Sequence, residues 1–163
     1  KPKTFFANSL TLSSVYRPKI LPNHHFSHNL QPPWALSEKV CSLWKQGHIK
    51  QAFDMHYEDL VRQKTRGSSG FIGIYEIDVI TKDALIECKR SKAARENPRQ
   101  FIKNNRTQIK RIIGFAKKQN KRAEFWFEGG AAKEVERYIT NLGGFYKVDL
   151  NENTFVSTHQ FTP

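Results

Sequence analysis

The sequence predicts one α/β domain that follows an irregular arm, and three observations support this. After residue 35, segments with helical periodicity alternate with strand-like runs of β-branched residues. The chain has 163 residues and 38% hydrophobic content, enough for one modest core. No apolar run approaches the about 18 residues of a membrane span, and no signal peptide is visible. We therefore predict an arm or linker over residues 1–35 and a folded domain over residues 36–163.

The predicted arm is rich in proline. Five prolines interrupt it, with Ser, Asn and His between them. Its histidines, His24, His25 and His28, could suggest a metal, but no other ligand type is near, so a loop cluster is favoured over a zinc site. Elsewhere, Cys41 and Cys88 do not form a CxxC pair, and we interpret both as buried thiols rather than as a disulfide or zinc site.

Two helices open the folded domain. Ser37 can cap a short helix that ends near Lys45, since Gly47 follows. A second helix is predicted over residues 48–64. Its apolar stripe consists of Ile49, Phe53, Tyr57, Leu60 and Val61. Residues 66–70, which are rich in Gly and Ser, then predict a loop.

Strands and helices alternate in the rest of the domain. Residues 71–80 and 85–90 are predicted to be strands joined by a turn. Asn97-Pro98 is a helix start, with a capping residue followed by proline at the first helical position, and this helix should end near residue 119. The remaining predicted elements are a strand over 123–128, a helix over 131–142 and strands over 145–150 and 154–159.

Positive charge is concentrated in one segment. The net charge is +12, and residues 89–122 contain thirteen Lys or Arg with one acid, Glu96, so they account for the whole excess. A solvated helix face would mix both signs. A one-sign element instead predicts a polyanion partner, most often nucleic acid. The residues expected to bind it are Arg90, Lys92, Arg99, Lys103, Arg106, Lys110 and Arg111.

Four of these residues are spaced to share one face of the predicted helix. Arg99, Lys103, Arg106 and Lys110 stand at i, i+4, i+7 and i+11. We expect this face to follow a phosphate backbone. Binding should then weaken steeply with salt, because each phosphate contact releases counterions.

The stretch EIDVITKDALIECKRS, residues 76–91, places acids among β-branched residues. If its two strands form a hairpin around residues 82–83, Ile80 faces Leu85 and Asp78 faces Glu87. Strand alternation then predicts two different faces. The polar face would carry Glu76, Asp78, Glu87 and Lys89. The apolar face would carry Ile77, Val79, Ile86 and Cys88.

Opposed carboxylates on such a hairpin need an explanation. Asp78 and Glu87 would repel each other across the strands, at a cost of up to about 1 kcal/mol. A divalent cation turns this repulsion into chelation, since Mg²⁺ takes one or two carboxylates together with phosphate oxygens. Lys89 points to the same side and can position water or stabilise phosphate charge. The alternative is an ordinary charged surface, with Glu76 and Lys89 as an ion pair.

At these residues the sequence resembles the PD-(D/E)xK nuclease superfamily. Asp78 matches the acid of the first motif strand, and Glu87-Cys88-Lys89 matches the Glu-x-Lys of the next. Ile77 stands where the family pattern has proline, and Glu76-Ile77-Asp78 is similar to the Glu-x-Asp of Holliday-junction resolvase-like members. The resemblance covers roughly residues 48–150. It implies a restriction-endonuclease-like αβββαβ core, with a central mixed sheet flanked by helices.

The resemblance also implies further site residues. Members often carry an acid on the helix before the strands, where Glu58 lies, although Asp54 or Asp59 could substitute. Members often carry a polar residue on the helix after the lysine, and Gln108 fits. The implied catalytic residues are Asp78, Glu87, Lys89, Glu58 and Gln108. The implied ligands of Mg²⁺ or Mn²⁺ are Asp78, Glu87 and Glu58.

Within the superfamily, the small size, the Pro-rich lead-in and the C-terminal nuclease core resemble toxin domains of contact-dependent growth inhibition and other polymorphic toxins. This implies a metal-dependent endonuclease that cleaves RNA such as tRNA. It also implies secretion or cell-surface delivery as part of a larger toxin, action in the target-cell cytoplasm, and an acidic cognate immunity protein.

Three alternatives stay open from the sequence. The chain could be a DNA-cleaving nuclease of the toxin type, or one of the repair or junction type. It could also be a non-catalytic nucleic-acid-binding domain with the same fold. Outside the toxin interpretation, the expected location is cytoplasmic.

Overall fold

The computed structural model describes residues 37–149. These residues divide between two compact units, with residues 37–56 in one and residues 57–149 in the other. The predicted arm over residues 1–35, its three histidines and the predicted strand over residues 154–159 lie outside the described part of the chain. No helix among residues 37–149 is long and apolar enough to cross a membrane.

The first unit begins with helix α1, Glu38–Lys45. The Ser37 hydroxyl caps it, as predicted, by accepting a hydrogen bond from the backbone N–H of Val40 at 3.3 Å. Helix α2, Ile49–Thr65, starts in this unit and continues into the second. A small core of Val40, Trp44 and Ala52 holds the unit together, because it buries all three side chains.

The second unit is built on a five-stranded mixed sheet. The strands are β1 (Ser68–Ile72), β2 (Tyr75–Ile80), β3 (Ala84–Lys89), β4 (Arg122–Glu128) and β5 (Phe145–Asp149). They lie in chain order, β1 to β3 antiparallel and β3 to β5 parallel. A short helix α3 (Ala93–Glu96) and the long helix α4 (Pro98–Lys118) follow β3, and α5 (Lys133–Asn141) follows β4. The αβββαβ order and the central mixed sheet are confirmed.

The predicted strand over residues 71–80 is wrong in one respect, because it is two strands. Gly73 adopts a φ of +62°, a value that favours glycine, and with Ile74 it turns the chain between β1 and β2. The Gly/Ser-rich stretch predicted as a loop is also partly strand, since β1 begins at Ser68. Gly67 explains why small residues occur there, since a Cβ at this position would stand 2.4 Å from Val79 Cγ1.

Helices cover both faces of the sheet. On one face, Tyr57 and Val61 of α2 pack against Val79, Ala84 and Ile86. On the other face, the larger core joins the apolar sides of α4 and α5 to the strands. Its buried members include Ile77, Leu85, Phe101, Ile109, Ile112, Ala116, Phe125, Phe127, Val135 and Ile139. The apolar side of α4 therefore faces this core.

The long helix α4 begins as the sequence predicts. The Asn97 side chain accepts a hydrogen bond from the backbone N–H of Gln100, and Pro98 occupies the first helical position. The cap places the start of α4 a few residues after β3, so the middle of the helix crosses the end of that strand. This crossing brings Gln108 of α4 next to Glu87 of β3.

Candidate active site

A β-bulge lies at Asp78. The register between β2 and β3 is the predicted one, with Val79 opposite Ile86 and Ile80 opposite Leu85. Toward β1, however, the three residues from Ser68 to Gly70 oppose the four residues from Ile80 to Ile77. The extra residue in β2 reverses the side-chain alternation beyond it. Ile77 therefore packs in the core of α4 and not with Val79, so the predicted apolar face is wrong at Ile77.

At the bulge, two backbone groups form hydrogen bonds with side chains instead of with the backbone of a neighbouring strand. The Cys88 N–H on β3 donates to Oδ2 of Asp78 at 2.8 Å, where a regular ladder would offer a backbone carbonyl. The backbone carbonyl of Asp78 accepts from the Arg62 guanidinium on α2, also at 2.8 Å. Buried backbone groups that lack partners are costly. Asp78 and Arg62 therefore stabilise the bulge that orients the Asp78 carboxylate.

Three predicted site residues meet at the end of β3. Lys89 Nζ lies 2.8 Å from Glu87 Oε1 and donates to Gln108 Oε1 at 2.8 Å. Gln108 Nε2 donates to the same Glu87 oxygen at 2.7 Å. The triangle fixes the Glu87 carboxylate from two sides. Its second oxygen, Oε2, is buried and has no hydrogen-bond partner within residues 37–149.

The electrostatics of the cluster show an excess of negative charge. Burial raises the pKa of the Asp78 carboxyl to about 8, helped by the nearby charges of Glu87 and Glu58 and opposed by the Cys88 N–H and Lys89. The pKa of the Cys88 thiol is raised well above its usual range, first by burial and then by Asp78, Glu58 and Glu87. The carboxyl groups of Asp78, Glu87 and Glu58 are therefore close enough to influence one another, and Lys89 is the lysine that offsets their charge.

Glu58 stands beside this cluster, as the resemblance implies, but its carboxylate is shared. It lies 3.7 Å from Arg62, four residues further along α2. The same guanidinium pairs with Asp59. Of the alternative acids, Asp59 is therefore held by Arg62, and Asp54 pairs with Lys50 at 2.9 Å in the first unit. Glu58 is the acid of this helix whose charge reaches Asp78.

The donor set fits a divalent cation held by two carboxylates. Within the described residues, no group of three or more His, Cys, Asp or Glu side chains is arranged to hold a metal ion. Mg²⁺ does not need three, because it keeps several waters and uses one or two carboxylates. A cation would give Glu87 Oε2 the partner that it lacks within residues 37–149. It would also offset the negative charge of Glu87 and Glu58 near Asp78. Restriction-endonuclease-like nucleases typically use divalent metals.

The basic residues predicted to bind nucleic acid divide into separate groups. Arg90 is occupied within the fold, since its Nε lies 2.8 Å from Glu128 Oε2. Lys92 makes an exposed ion pair with Glu96 at 3.3 Å. Arg111 lies 3.8 Å over the ring centroid of Tyr75, on the side of α4 near the cluster.

The four-residue basic stripe does not lie beside the cluster. A helix turns about 100° per residue, so Arg99, Lys103, Arg106 and Lys110 stand about 140–180° around α4 from Gln108. All four are exposed, as expected for the face away from the core. The stripe can attract a polyanion, but it cannot contact the same phosphate as Gln108. The sequence positions of Gln108 and the four basic residues are enough to calculate this separation.

Arg62 is the site residue that the sequence interpretation missed. Its position four residues after Glu58 was a usable signal, because i and i+4 side chains are neighbours on a helix. No sequence pattern indicated its hydrogen bond to the Asp78 carbonyl, because that bond depends on the bulge. Glu76, by contrast, is exposed and drops out of the cluster, and Lys89 pairs with Glu87 instead.

An acid on a bulged strand beside a Glu-x-Lys strand, within an αβββαβ core, is the arrangement of the restriction-endonuclease fold class. The family model described as restriction endonuclease fold toxin 3 matches residues 46–149, more than half of the chain. The chain belongs to this family. No curated protein and no solved structure gives a significant match. Membership indicates a nuclease toxin with a nucleic-acid substrate and supports delivery to target cells.

Proposed function

We propose that this chain is a metal-dependent endonuclease that hydrolyses phosphodiester bonds of nucleic acid. The observation that carries the proposal is the triangle of buried Glu87 with half-buried Lys89 and Gln108 beside Asp78, in which one Glu87 oxygen has no partner within residues 37–149. Asp149 Oδ2 is also buried without a hydrogen-bond partner within residues 37–149, so the open oxygen alone does not distinguish the site. At Glu87 it lies beside a second acid, Asp78, whose pKa is raised to about 8 by burial and by the charges of Glu87 and Glu58. The family supports nuclease activity, and metal dependence is our inference from the donor set.

Glu87 and Asp78 would hold Mg²⁺ or Mn²⁺, with Glu58 acting through its charge or through a bound water. Such a cation supplies a water of lowered pKa and polarises the phosphate. Gln108 orients both Glu87 and Lys89 through its two hydrogen bonds. Lys89 places an ammonium group where it can position the attacking water or stabilise the charge that develops on phosphate oxygens.

We propose RNA such as tRNA as the substrate ahead of DNA, on the resemblance to polymorphic toxin domains. The net charge of +12 supports a polyanionic substrate of either kind. It also supports an acidic immunity protein as a partner, since opposite charges speed association. We further propose that the chain is delivered as the C-terminal part of a larger toxin and acts in the cytoplasm of the target cell.

The test is a cleavage assay on tRNA and on plasmid DNA, in Mg²⁺ and in EDTA. We expect tRNA cleavage in Mg²⁺ and none in EDTA. Asp78→Ala and Glu87→Ala should each lower the rate about 10²–10³-fold, the order of loss seen when a charge-stabilising catalytic group is removed. Glu76→Gln is the matched control, because Glu76 is an exposed acid on the same strand. It should cleave within about twofold of the parent.

Each arm of this assay can contradict a different part of the proposal. Cleavage that persists in EDTA would contradict the metal dependence. Full activity of Asp78→Ala would contradict the proposed active site. Cleavage of plasmid without cleavage of tRNA would replace RNA by DNA as the substrate. Binding of both polymers without cleavage in any divalent metal would identify a non-catalytic binding domain.

A further inference from the structure

The hairpin between β1 and β2 carries large apolar side chains that nothing in residues 37–149 covers. Phe71 is 69% exposed, Ile74 is 85% exposed and Tyr75 is 38% exposed. Phe71 lies opposite Glu76, and the next rung pairs Ile72 with Tyr75, so Phe71 and Tyr75 project from opposite faces of the hairpin. Packing on the core needs only one apolar face. A tip that is apolar on both faces is suited to inserting between flat groups.

The hairpin tip is close to the candidate active site. Tyr75 precedes Asp78 by three residues of the same strand, a span of about 10 Å. That distance covers at most about three stacked nucleotides of one strand. Arg111 follows Gln108 by three residues on α4, so the two side chains are neighbours along the helix.

Tyr75 holds Arg111 in place at the base of the tip. The guanidinium carbon lies 3.8 Å from the centroid of the Tyr75 ring, and Phe115 supports that ring at 5.9 Å between centroids. Stacking on an aromatic ring orients an arginine and leaves its N–H groups able to bind phosphate. This combination of an aromatic tip with an oriented cation is the chemistry that binds nucleotides with exposed bases.

We propose that the hairpin tip formed by Phe71, Ile74 and Tyr75 is a stacking wedge for an unpaired nucleobase, with Arg111 binding the adjacent phosphate. The proposal deepens the proposed nuclease function and rests on it. It assigns the substrate class: a single-stranded or looped segment within a few nucleotides of the cleaved bond. Paired bases are stacked on both sides, so only an unpaired base offers a free ring face.

Charge favours nucleic acid over a protein as the occupant of the tip. Arg111 lies directly beside the apolar side chains, and the flanking helix belongs to the segment that carries the whole charge excess. Inserted apolar side chains are a known way for proteins to separate neighbouring bases. A second copy of this chain would instead have to bring the same positive charge to the same place.

The binding test uses the full chain with Asp78→Ala, so that cleavage does not interfere. The probes are a single-stranded oligonucleotide that contains 2-aminopurine and the same strand in a duplex. We expect tighter binding of the single strand, with a change in 2-aminopurine fluorescence. Phe71→Ser with Ile74→Ser, added together, should weaken that binding about tenfold, as should Tyr75→Ala. Tyr75→Phe should keep it, because the ring and its contact with Arg111 remain.

The matched control lies at the opposite edge of the sheet. Phe145 is 46% exposed and Val148 is 42% exposed on β5, so Phe145→Ser with Val148→Ser also replaces two exposed apolar side chains, although these are less exposed than Phe71 and Ile74. This control should bind like the parent. If the Phe71/Ile74 variant does not fold, judged by its thermal melt, the Tyr75→Ala and Tyr75→Phe pair decides the question.

Three results would overturn the wedge. The first is equal binding by the hairpin variants and the control. The second is equal binding of single strand and duplex. The third is a hairpin variant that loses self-association in light scattering, which would assign the tip to a second copy. Because the probes report binding without cleavage, the wedge and the proposed nuclease function can fail separately. A parent chain that never cleaves nucleic acid would contradict the nuclease function even if the wedge binds a base.

Discussion

Two pairs of carboxylates, each with one buried and one half-buried member, lie on neighbouring strands of one sheet, and they are neutralised differently. Glu128 and Asp149 are partners in the register of β4 and β5. Each has its own cation, Arg90 at 2.8 Å and Lys64 at 2.7 Å. Asp78 and Glu87 lie on β2 and β3, with Glu58 nearby, and Lys89 pairs with Glu87 alone. The first pair is balanced by charge, and the second is short of positive charge.

The difference separates a structural arrangement from a functional one. Removing a partner from a buried ion pair is costly, so a pair with dedicated cations stabilises the fold. A cluster that lacks a cation destabilises the fold unless it is protonated or binds one. Burial is the main cause of the raised pKa of Asp78, and the negative charges of Glu87 and Glu58 raise it further, as expected where no cation is dedicated to the carboxyl group. The same acid types therefore have opposite energetic roles on two adjacent strand pairs of the sheet.

The largest expected effect is on stability at the balanced pair. Arg90→Met should lower the free energy of unfolding by about 3 kcal/mol, because Glu128 stays buried without its cation. Lys92→Met is the control, since its pair with Glu96 is exposed and should contribute less than about 1 kcal/mol. Urea unfolding of both variants measures this. A loss below about 1 kcal/mol for Arg90→Met would remove the distinction between the two pairs.

A somewhat smaller effect is expected when a cation is added to the deficient cluster. Mg²⁺ or Mn²⁺ at 100 times its dissociation constant should stabilise the parent chain by about 2.7 kcal/mol. The gain should disappear in Glu87→Gln and persist in Glu76→Gln, whose acid is exposed. Thermal melts across a metal titration measure it. An equal gain in Glu87→Gln would place the cation elsewhere.

The smallest expected effect, counted for each pH unit, is the pH dependence of the stability of the metal-free chain. Between the ordinary carboxyl pKa of 3.8 and the raised value of about 8, the folded chain holds a proton that the unfolded chain releases. Stability should therefore fall as pH rises through this window, by at most about 1.4 kcal/mol per pH unit. Asp78 and Glu87 interact, so this proton belongs to the pair.

Asp78→Asn provides the reference for that measurement. The variant cannot take up the proton, so its stability relative to the parent should increase between pH 5 and pH 8 in EDTA. Urea unfolding at several pH values compares the two chains. Parallel curves, or a parent that gains stability relative to Asp78→Asn as pH rises, would contradict the charge deficit.

Much of the site was predictable because it depends on local rules. Hairpin register follows from the turn, so Asp78 and Glu87 could be placed on adjoining strands before any coordinates. The Asn97-Pro98 start set the phase of α4, and Gln108 met Glu87 and Lys89 as the resemblance implied. The sequence left open whether residues 71–74 form a separate first strand, and the structure divides residues 71–80 at Gly73.

The sequence by itself determined the order of elements, the family motif and the excess of charge, since these depend on spacing along one chain. Only the tertiary structure decided the bulge at Asp78, because a residue is extra only in relation to the strand that pairs with it. It also decided that Arg62 completes that bulge and that Arg90 belongs to Glu128. Side chains more than ten residues apart meet only after the core has positioned their elements, and no local pattern contains that geometry.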